Sequence, residues 1–342
     1  MISAIFVSYR SAALAVRAIG TFREEARRAG VAGEAVAVVN SEDPAERDEI
    51  APHADVVLLP PRNLGFAGGL NAGIASARGR TFLLANPDLY FCEGSVAALA
   101  AAVEGRGLVA AGPALWADEA RTVLLPPAEE VRLQELARRA LAADPARTDR
   151  VFRREARRGV AQAERAASGT SAAVRGLSGA LVAVTRETLE AVGPFDDGYR
   201  LYYEENDWQR RLLLRGGRLV FVGAAHVVHR YAQSTRREPR AAAWFAESEA
   251  RYFSRHFGEA GRRGLERLPR LARPWDVPPP PPADGLAWND PAPAAVAVSP
   301  FPGFRPFALA LVPEGTRRWR LPGDLAEAHS GEPLYLRAFA RE

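Results

Sequence analysis

The feature that most constrains this chain is the regular alternation of strand and helix patterns over its first 85 residues. Strands are predicted at 2–8, 35–39, 56–59 and 81–85, and helices at 12–28, 44–50 and 68–77. Each strand is a continuous apolar run, which is typical of a parallel sheet buried on both faces by helices. Ligands of such sheets bind beyond the carboxyl ends of the strands.

The character of the sequence changes twice after this repeat. Residues 118–175 are rich in Ala, Arg and Glu and predict a helical insertion with a long helix at 129–167. Strand patterns return at 179–185 and 219–222. A Pro-rich stretch at 273–302 predicts an extended linker, and 303–342 predicts a small β-rich C-terminal extension.

Composition excludes several classes of protein. With 342 residues, 48% hydrophobic and 25% charged, the chain is of ordinary globular composition. A net charge of +4 suits an anionic small molecule or an anionic membrane surface, but the basic residues lack the clustering that nucleic-acid binding requires. One cysteine, Cys92, excludes an intramolecular disulfide framework and fits a reducing compartment.

No signal-peptide pattern follows Met1, and no apolar run approaches the roughly 20 residues of a membrane span. We therefore expect a cytoplasmic protein, or one peripheral at the inner face of a membrane. The many arginines of the predicted insertion helix suit contact with anionic lipid, although a solvated helix explains them better.

A glycine-rich turn occupies 63–74, with the sequence Asn-Leu-Gly-Phe-Ala-Gly-Gly-Leu-Asn-Ala-Gly-Ile. Gly65, Gly68 and Gly69 precede a predicted helix and allow close approach of the backbone. The helix N-terminus presents free N–H groups, which suit a diphosphate. Such turns also occur without a phosphate ligand.

The triplet Asn86-Pro87-Asp88 stands at the carboxyl end of a predicted strand. Pro87 fixes a turn that directs two oxygen-bearing side chains toward the crevice. Oxygen ligands and a nucleotide diphosphate are what Mg²⁺ or Mn²⁺ prefers. An ordinary turn is the alternative interpretation.

An acidic cluster places Glu204, Glu205 and Asp207 within four residues. Their mutual repulsion raises at least one pKa toward the range of a general base. The alternative is the first turn of a helix, where the helix dipole favours acidic side chains.

Together the strand-helix repeat, the glycine-rich turn and the Asn-Pro-Asp triplet resemble the inverting glycosyltransferases of family 2, particularly their rhamnosyltransferase-like branch. Gly176-Leu177-Ser178-Gly179-Ala180, 192–197 and 201–208 resemble the acceptor-side segments of that family, and the likeness covers about residues 2–235. It implies a GT-A fold, an α/β architecture with a Rossmann-like, mostly parallel sheet flanked by helices. Residues 1–272 would form this domain, with a nucleotide-binding half at 1–115 and an acceptor half at 176–272.

The resemblance implies roles for individual residues. Glu205 would be the catalytic base with Glu204 as its neighbour, and Asp88 and His229 would hold the divalent metal. Donor binding would fall to Ser8, Tyr9, Asn40, Asn63, Gly65, Phe66, Gly69, Asn71 and Asn86. Acceptor binding would fall to Gly179, Ala180, Asp207 and Trp208, although Asp207 also suits a structural role. Arg230, Arg236 and Arg237 would cover the diphosphate or form an exposed basic loop.

The sequence departs from the family at Asn40, where an aspartate usually reads the nucleobase, and at Arg10, which replaces an asparagine. An amide carbonyl can still accept a hydrogen bond from a pyrimidine N–H, but without the charge.

The function implied is transfer of a sugar, with inversion, from a nucleoside-diphosphate sugar of UDP or dTDP type to a hydroxyl of a glycan or lipid-linked acceptor. The alternative is a catalytically inactive module that binds a sugar nucleotide. The replacement of the usual aspartate by Asn40 favours this alternative. A nucleotidyltransferase would need a basic, glycine-rich loop at 8–13, and the sequence has none.

Overall fold

The computed structural model describes residues 1–134, 145–229, 240–267, 284–289, 293–301, 306–330 and 332–340. The main sheet contains β1 (Ile2–Ser8), β2 (Gly33–Val39), β3 (Val56–Leu58), β4 (Thr81–Ala85), β5 (Leu89–Phe91), β6 (Val109–Trp116), β7 (Ala172–Val174), β8 (Leu181–Thr185) and β9 (Arg218–His229). The helices up to residue 267 are α1 (Ala12–Arg28), α2 (Pro44–Ile50), α3 (Gly65–Ser76), α4 (Ser95–Val103), α5 (Pro145–Ser168), α6 (Arg186–Val192), α7 (Glu204–Leu214) and α8 (Ala241–Arg267). None of these described helices is long and apolar enough to cross a membrane.

The nine strands are ordered β3-β2-β1-β4-β8-β6-β9-β5, with β7 paired to β9. Strands β3, β2, β1 and β4 pair in parallel, as the continuous apolar runs predicted. Strand β8 is antiparallel to both β4 and β6, while β9 is parallel to β6. Six strands therefore run in one direction, and the prediction of an α/β fold with a largely parallel sheet is confirmed.

Helices cover both faces of this sheet. On one face Phe6 and Phe22 pack with Phe91 in edge-to-face contacts, together with apolar residues of α1 and α4. On the other face Trp208 of α7 lies in a cluster with residues of α3 and α6. These two layers hold the strand ends in place, so the loops that follow β1, β2 and β4 meet at one edge of the sheet.

The C-terminal region begins earlier than the sequence suggested. It contains β10 (Gly285–Ala287), β11 (Ala295–Ser299), β12 (Ala308–Leu311), β13 (Arg318–Arg320), α9 (Gly323–Ala328) and β14 (Tyr335–Phe339). Strand β11 lies inside the stretch predicted as a linker, yet it is the central strand of the sheet β12-β11-β14. Its Ala-Val-Ala-Val core is fully buried, and the surrounding prolines concealed this apolar pattern. The five-proline run at 278–282 lies outside the described residues.

The helical insertion is shorter in its described part than the predicted 129–167. Residues 129–132 are not helical, 135–144 lie outside the described residues, and α5 begins at Pro145. The apolar side chains Phe152, Ala156, Ala163 and Ala166 of α5 are buried against the main and C-terminal sheets. This helix therefore uses its apolar face inside the protein, and only its basic face is directed outward.

Candidate active site

The pairing of β5 with β9 brings Asp88 and His229 together. Leu89 is the register partner of His229, so the residue before β5 lies beside the last residue of β9. Oδ1 of Asp88 lies 3.2 Å from Nε2 of His229, and both side chains are buried. The Asn86-Pro87-Asp88 turn is fixed at its other end, where the amide of Asn86 donates to the carbonyl of Ala180 at 2.8 Å.

Asp88 and His229 could supply two ligands to a metal ion, and the other ligands would have to come from elsewhere. Oδ1 of Asp88 is buried and has no hydrogen-bond partner, despite the short distance to His229, and such an atom is expensive to bury unless a ligand satisfies it. Among the described residues, no group of three His, Cys, Asp or Glu side chains could hold a metal. A metal here would take its remaining ligands from water or from the phosphates of a substrate.

The glycine-rich turn is built around Asn40. The Asn40 side chain accepts from the amide of Leu64 at 2.8 Å and donates to the carbonyl of Gly65 at 2.9 Å. Gly65 has a φ of 72°, and a Cβ there would lie 2.8 Å from the carbonyl oxygen of Arg200. The predicted nucleobase contact of Asn40 is thereby weakened further, because this side chain already holds the turn in place.

Glu204 and Glu205 occupy the first turn of α7. The two preceding residues, Tyr202 and Tyr203, have φ values of 67° and 69°. Two successive bulky residues in the left-handed region are strained, and such strain is retained mainly where function requires it. Gly179 gives Glu205 its space, because a Cβ on Gly179 would lie 2.9 Å from Cγ of Glu205.

Both glutamates have unusual protonation behaviour. Burial, and then the neighbouring charge of Glu205, raises the pKa of the Glu204 carboxyl well above its usual value. Burial also raises the pKa of Glu205, although the amides of Glu205 and Asn206 partly oppose this. The Oε2 atom of each glutamate is buried without a hydrogen-bond partner. As whole residues, Glu204 is 4% exposed, whereas Glu205 is partly exposed.

These elements surround one cavity of about 340 Å³. Twelve of the predicted site residues line it: Tyr9, Asn40, Asn63, Gly65, Phe66, Asn86, Asp88, Gly179, Ala180, Glu204, Glu205 and His229. The structure therefore brings the predicted donor, metal and base positions to a single cleft at the edge of the sheet.

Three predicted donor-binding residues do not line this cavity. The hydroxyl of Ser8 donates to the carboxylate of Glu46, which also accepts from the amides of Arg10 and Ser11. A Cβ on Gly69 would lie 2.8 Å from Val7, so this glycine allows α3 to pack against β1. Asn71 exchanges two hydrogen bonds with the backbone of Phe195.

The predicted acceptor residues Asp207 and Trp208 are also absent from the lining. Oδ1 of Asp207 lies 2.8 Å from Nε2 of His256 in α8, and Oδ2 accepts from Arg211 at 2.8 Å. Burial pushes the pKa of Asp207 upward, but the hydrogen bond from His256 and the Arg211 charge outweigh it, so the pKa lies below its usual value. Trp208 is buried, stacks on Phe195 and donates to the carbonyl of Gly193. Both residues attach α7 to its surroundings.

The lining also contains residues that the sequence reasoning did not select: Val7, Pro87, Ser178, Arg200, Leu201, Tyr202 and Trp244. Arg200, Leu201 and Tyr202 precede the acidic cluster directly, and this proximity was the available signal. Trp244 belongs to α8, and no local pattern connects it with the cavity. The three predicted diphosphate contacts Arg230, Arg236 and Arg237 lie outside the described residues.

The sheet order, the turn after β4 and the cleft at the strand ends together define the GT-A fold. The chain is similar to the mannosyltransferase PcManGT from Pyrobaculum calidifontis in complex with GDP-Man and Mn²⁺, with a TM-score of 0.50 and 13% identity over 79% of this chain and 71% of that chain. At this identity the likeness is one of fold.

Two other solved structures are more distant by TM-score. GalNAc-T7 with UDP, GalNAc and Mn²⁺ gives a TM-score of 0.49 with 14% identity, over 94% of this chain and 67% of that chain. Residues 1-349 of S. aureus TarS give a TM-score of 0.41 with 11% identity, over 75% of this chain and 73% of that chain. No protein-family model and no curated protein matches the sequence.

Proposed function

We propose that this protein is an inverting glycosyltransferase of hexosyl or rhamnosyl type, which acts on a nucleoside-diphosphate sugar in polysaccharide biosynthesis of the cell envelope. The observation that carries the proposal is the shared cavity: the Glu204–Glu205 pair and the Asp88–His229 pair line the same cleft. The GT-A fold and the resemblance of the motifs to family 2 and its rhamnosyltransferase-like branch support it.

Glu205 is the catalytic base in this proposal, and Glu204 is its supporting neighbour. Because coupled carboxylates titrate as a pair, the more buried Glu204 retains a proton and Glu205 remains ionised. Glu205 then removes the proton from an acceptor hydroxyl of a glycan or lipid-linked sugar. The hydroxyl oxygen attacks the anomeric carbon, the bond from that carbon to the diphosphate oxygen breaks, and a nucleoside diphosphate leaves. Attack from the face opposite the leaving group inverts the configuration.

Asp88 and His229 would hold the divalent ion, Mg²⁺ or Mn²⁺, which when bound supplies positive charge opposite the leaving diphosphate. Gly65 and Phe66 of the turn, together with Tyr9 and Asn86, line the side of the cavity that would receive the UDP or dTDP part of the donor. Gly179 and Ala180 line the acceptor side.

A thermal-shift screen of UDP-, dTDP- and GDP-sugars, with and without Mn²⁺, tests donor binding. We expect a metal-dependent rise in Tm with a UDP- or dTDP-sugar. Asp88→Asn should abolish the metal dependence. If no nucleotide sugar shifts Tm under any of these conditions, the proposal is wrong.

Glu205→Gln tests catalysis. Loss of a general base typically costs about 10²- to 10⁴-fold in rate, so transfer should fall by that amount while the donor-induced shift in Tm persists. Glu190→Gln, an exposed position on α6, is the matched control and should retain full turnover. Near-normal transfer by Glu205→Gln would exclude Glu205 as the base, whereas a complete absence of turnover in the wild type favours an inactive binding module.

A further inference from the structure

Arg200 is a charged cavity residue to which the chemistry described above assigns no role. It is exposed, lines the cavity, and its guanidinium makes no hydrogen bond or ion pair with any of the described residues. Its carbon Cζ lies 5.6 Å from the ring centroid of Trp244 in a cation–π contact, and Cζ of Arg240, which does not line the cavity, lies 5.0 Å from the same centroid.

The surroundings of this guanidinium are acidic. Among the described residues that line the cavity, the carboxylates are Asp88, Glu204 and Glu205, and Arg200 is the sole Arg or Lys. Glu204 and Glu205 each have an Oε2 atom without a hydrogen-bond partner, yet Arg200 pairs with neither. A planar guanidinium binds carboxylate and phosphate groups well, and this one is left available to a ligand.

Aromatic side chains form the adjoining wall. The partly exposed rings of Tyr202 and Trp244 line the cavity, and Phe245 supports Tyr202 in an edge-to-face contact at 5.5 Å. The hydroxyl of Ser248 donates to the carbonyl of Leu201 at 2.9 Å, which fixes α8 against this segment. Sugar rings pack their C–H faces on such amphipathic aromatic side chains.

Arg200 also stands where the two walls of the cavity meet. Its carbonyl accepts from the amide of Phe66 in the donor-side turn at 3.2 Å, and four residues later α7 begins with Glu204. A group held by Arg200 and the aromatic wall therefore lies in the same cleft as the proposed base, on the side formed by α7 and α8.

We propose that Arg200, Tyr202 and Trp244 form a subsite for an acceptor sugar that carries an anionic group, either a carboxylate or a phosphate. The rings contact the apolar face of the sugar, and Arg200 binds the anion. This inference rests on the proposed glycosyl transfer, since it identifies the acceptor of that reaction.

The experiment first measures release of nucleoside diphosphate from the donor in the absence of an acceptor, with Mn²⁺ present. Wild type, Arg200→Gln and Arg106→Gln are compared, where Arg106 is an exposed arginine that follows α4, does not line the cavity and gives the same change of charge. Wild type and Arg106→Gln should hydrolyse the donor at the same rate, and the rate of Arg200→Gln shows whether this residue also contacts the donor. Absence of any shift in Tm with a nucleotide sugar would contradict the proposed function, independently of this subsite.

Transfer is then measured to methyl glycosides of glucose and galactose, to the corresponding methyl uronides and to the sugar 1-phosphates. We expect kcat/KM for an anionic acceptor to exceed that of its neutral partner by about 10- to 100-fold, the range of a charge-assisted hydrogen bond. Arg200→Gln should remove this preference, while Arg106→Gln retains it. Preference for the uronides or for the phosphates identifies which anion is recognised.

Trp244→Ala should raise KM for neutral and anionic acceptors alike, and Trp244→Phe should restore part of the loss. Equal use of neutral and anionic sugars by the wild type, or transfer to no sugar in the panel, would overturn the proposal. So would a preference that survives in Arg200→Gln. A raised donor KM with slower donor hydrolysis in Arg200→Gln would assign this residue to the diphosphate of the donor instead.

Discussion

The buried carboxyl of Glu204 lowers the stability of the fold at neutral pH. Its raised pKa means that the folded protein binds the proton more tightly than the unfolded chain, whose value is near 4.5. The contribution of Glu204 to stability is therefore fully present below pH 4.5 and is lost as the pH rises through the pKa of the folded state. The loss amounts to about 1.4 kcal/mol for each pH unit that separates the folded and unfolded pKa values. The buried Glu204 carboxyl is therefore a cost to the stability of the fold at neutral pH, because the unfolded chain has already released this proton.

Glu204→Gln should accordingly raise Tm at pH 7 to 8, and the gain should shrink toward pH 4.5, as measured by thermal unfolding across that range without added metal. Exposed Glu190→Gln, as the control, should change Tm little at any pH. A gain that stays constant with pH would show that burial does not perturb Glu204.

Gly179 allows a second prediction at this scale. Because a Cβ at this position would lie 2.9 Å from Cγ and 3.1 Å from the carboxyl carbon of Glu205, Gly179→Ala should displace the proposed base. We expect kcat to fall by roughly 10²-fold, since small misplacements of a catalytic group are costly. Gly20→Ala, which meets no atom within 4 Å, is the control and should stabilise α1 by about 0.5 to 1 kcal/mol. Unchanged kcat in Gly179→Ala would contradict this account of the base.

The position of a residue in the cavity could be predicted from the sequence where a short motif contains it, as with Asp88 and Glu205. Asn40 and Ser8 show the limit of that reasoning, because their side chains bind the protein itself. Whether an amide or hydroxyl next to a cleft points into it depends on tertiary neighbours such as Leu64 and Glu46, which the local pattern does not identify.

At the scale of elements, α8 holds α7 in place through ion pairs and hydrogen bonds to Asp207. Asp207 connects the two helices through His256 and Arg255, and it pairs with Arg211 in its own helix. Because the pKa of Asp207 is lower in the folded state, its carboxylate stabilises the fold at any pH above 3.8, the usual pKa of an aspartate. This contribution is lost as the pH falls through the lower pKa of the folded state.

Asp207→Asn should therefore destabilise the protein at neutral pH by about 3 kcal/mol, the lower end for breaking a buried ion pair. Urea unfolding from pH 7 to the acid limit of folding should show the deficit shrinking once the pH falls below about 4, as the wild-type carboxylate becomes protonated. Asp48→Asn, at an exposed pair with Arg47, should cost less than about 1 kcal/mol. A deficit that grows toward acid would contradict the assignment.

Most large elements could be predicted because their apolar patterns are long, as in β1, β4 and α1. The sequence reasoning did not find β5, β7 or α4. The two strands have three residues each and lie toward the far edge of the sheet, where pairing with β9 rather than local propensity decides the conformation. The same dependence on distant partners explains why β11 was taken for part of a linker.

At the scale of the molecule, the C-terminal sheet is packed into the body of the fold. Leu309 of β12 bridges to Leu124 through two backbone hydrogen bonds, of 2.9 and 2.8 Å, and its side chain packs on α5 beside Gly159. Strand β12, α5 and the outer part of the main sheet therefore share one apolar cluster. We expect the chain to unfold as one cooperative unit.

Leu309→Ala should lower the free energy of unfolding by about 2 to 5 kcal/mol, as for other buried leucines. The change in tryptophan fluorescence and the loss of donor binding should occur in the same unfolding transition. Leu214→Ala, at a side chain that is 71% exposed, should be nearly neutral. Two separate transitions in Leu309→Ala would show that the C-terminal sheet folds independently.

The register between Leu89 and His229 has a consequence for the order of assembly. Contacts between distant parts of a chain form late, because closing long loops costs entropy before any contact repays it. The pairing that sets Asp88 beside His229 joins positions far apart in the chain, across the entire insertion. A nascent or partly folded chain thus lacks the Asp88–His229 pair, and binding of a ligand to this pair would report that assembly is complete.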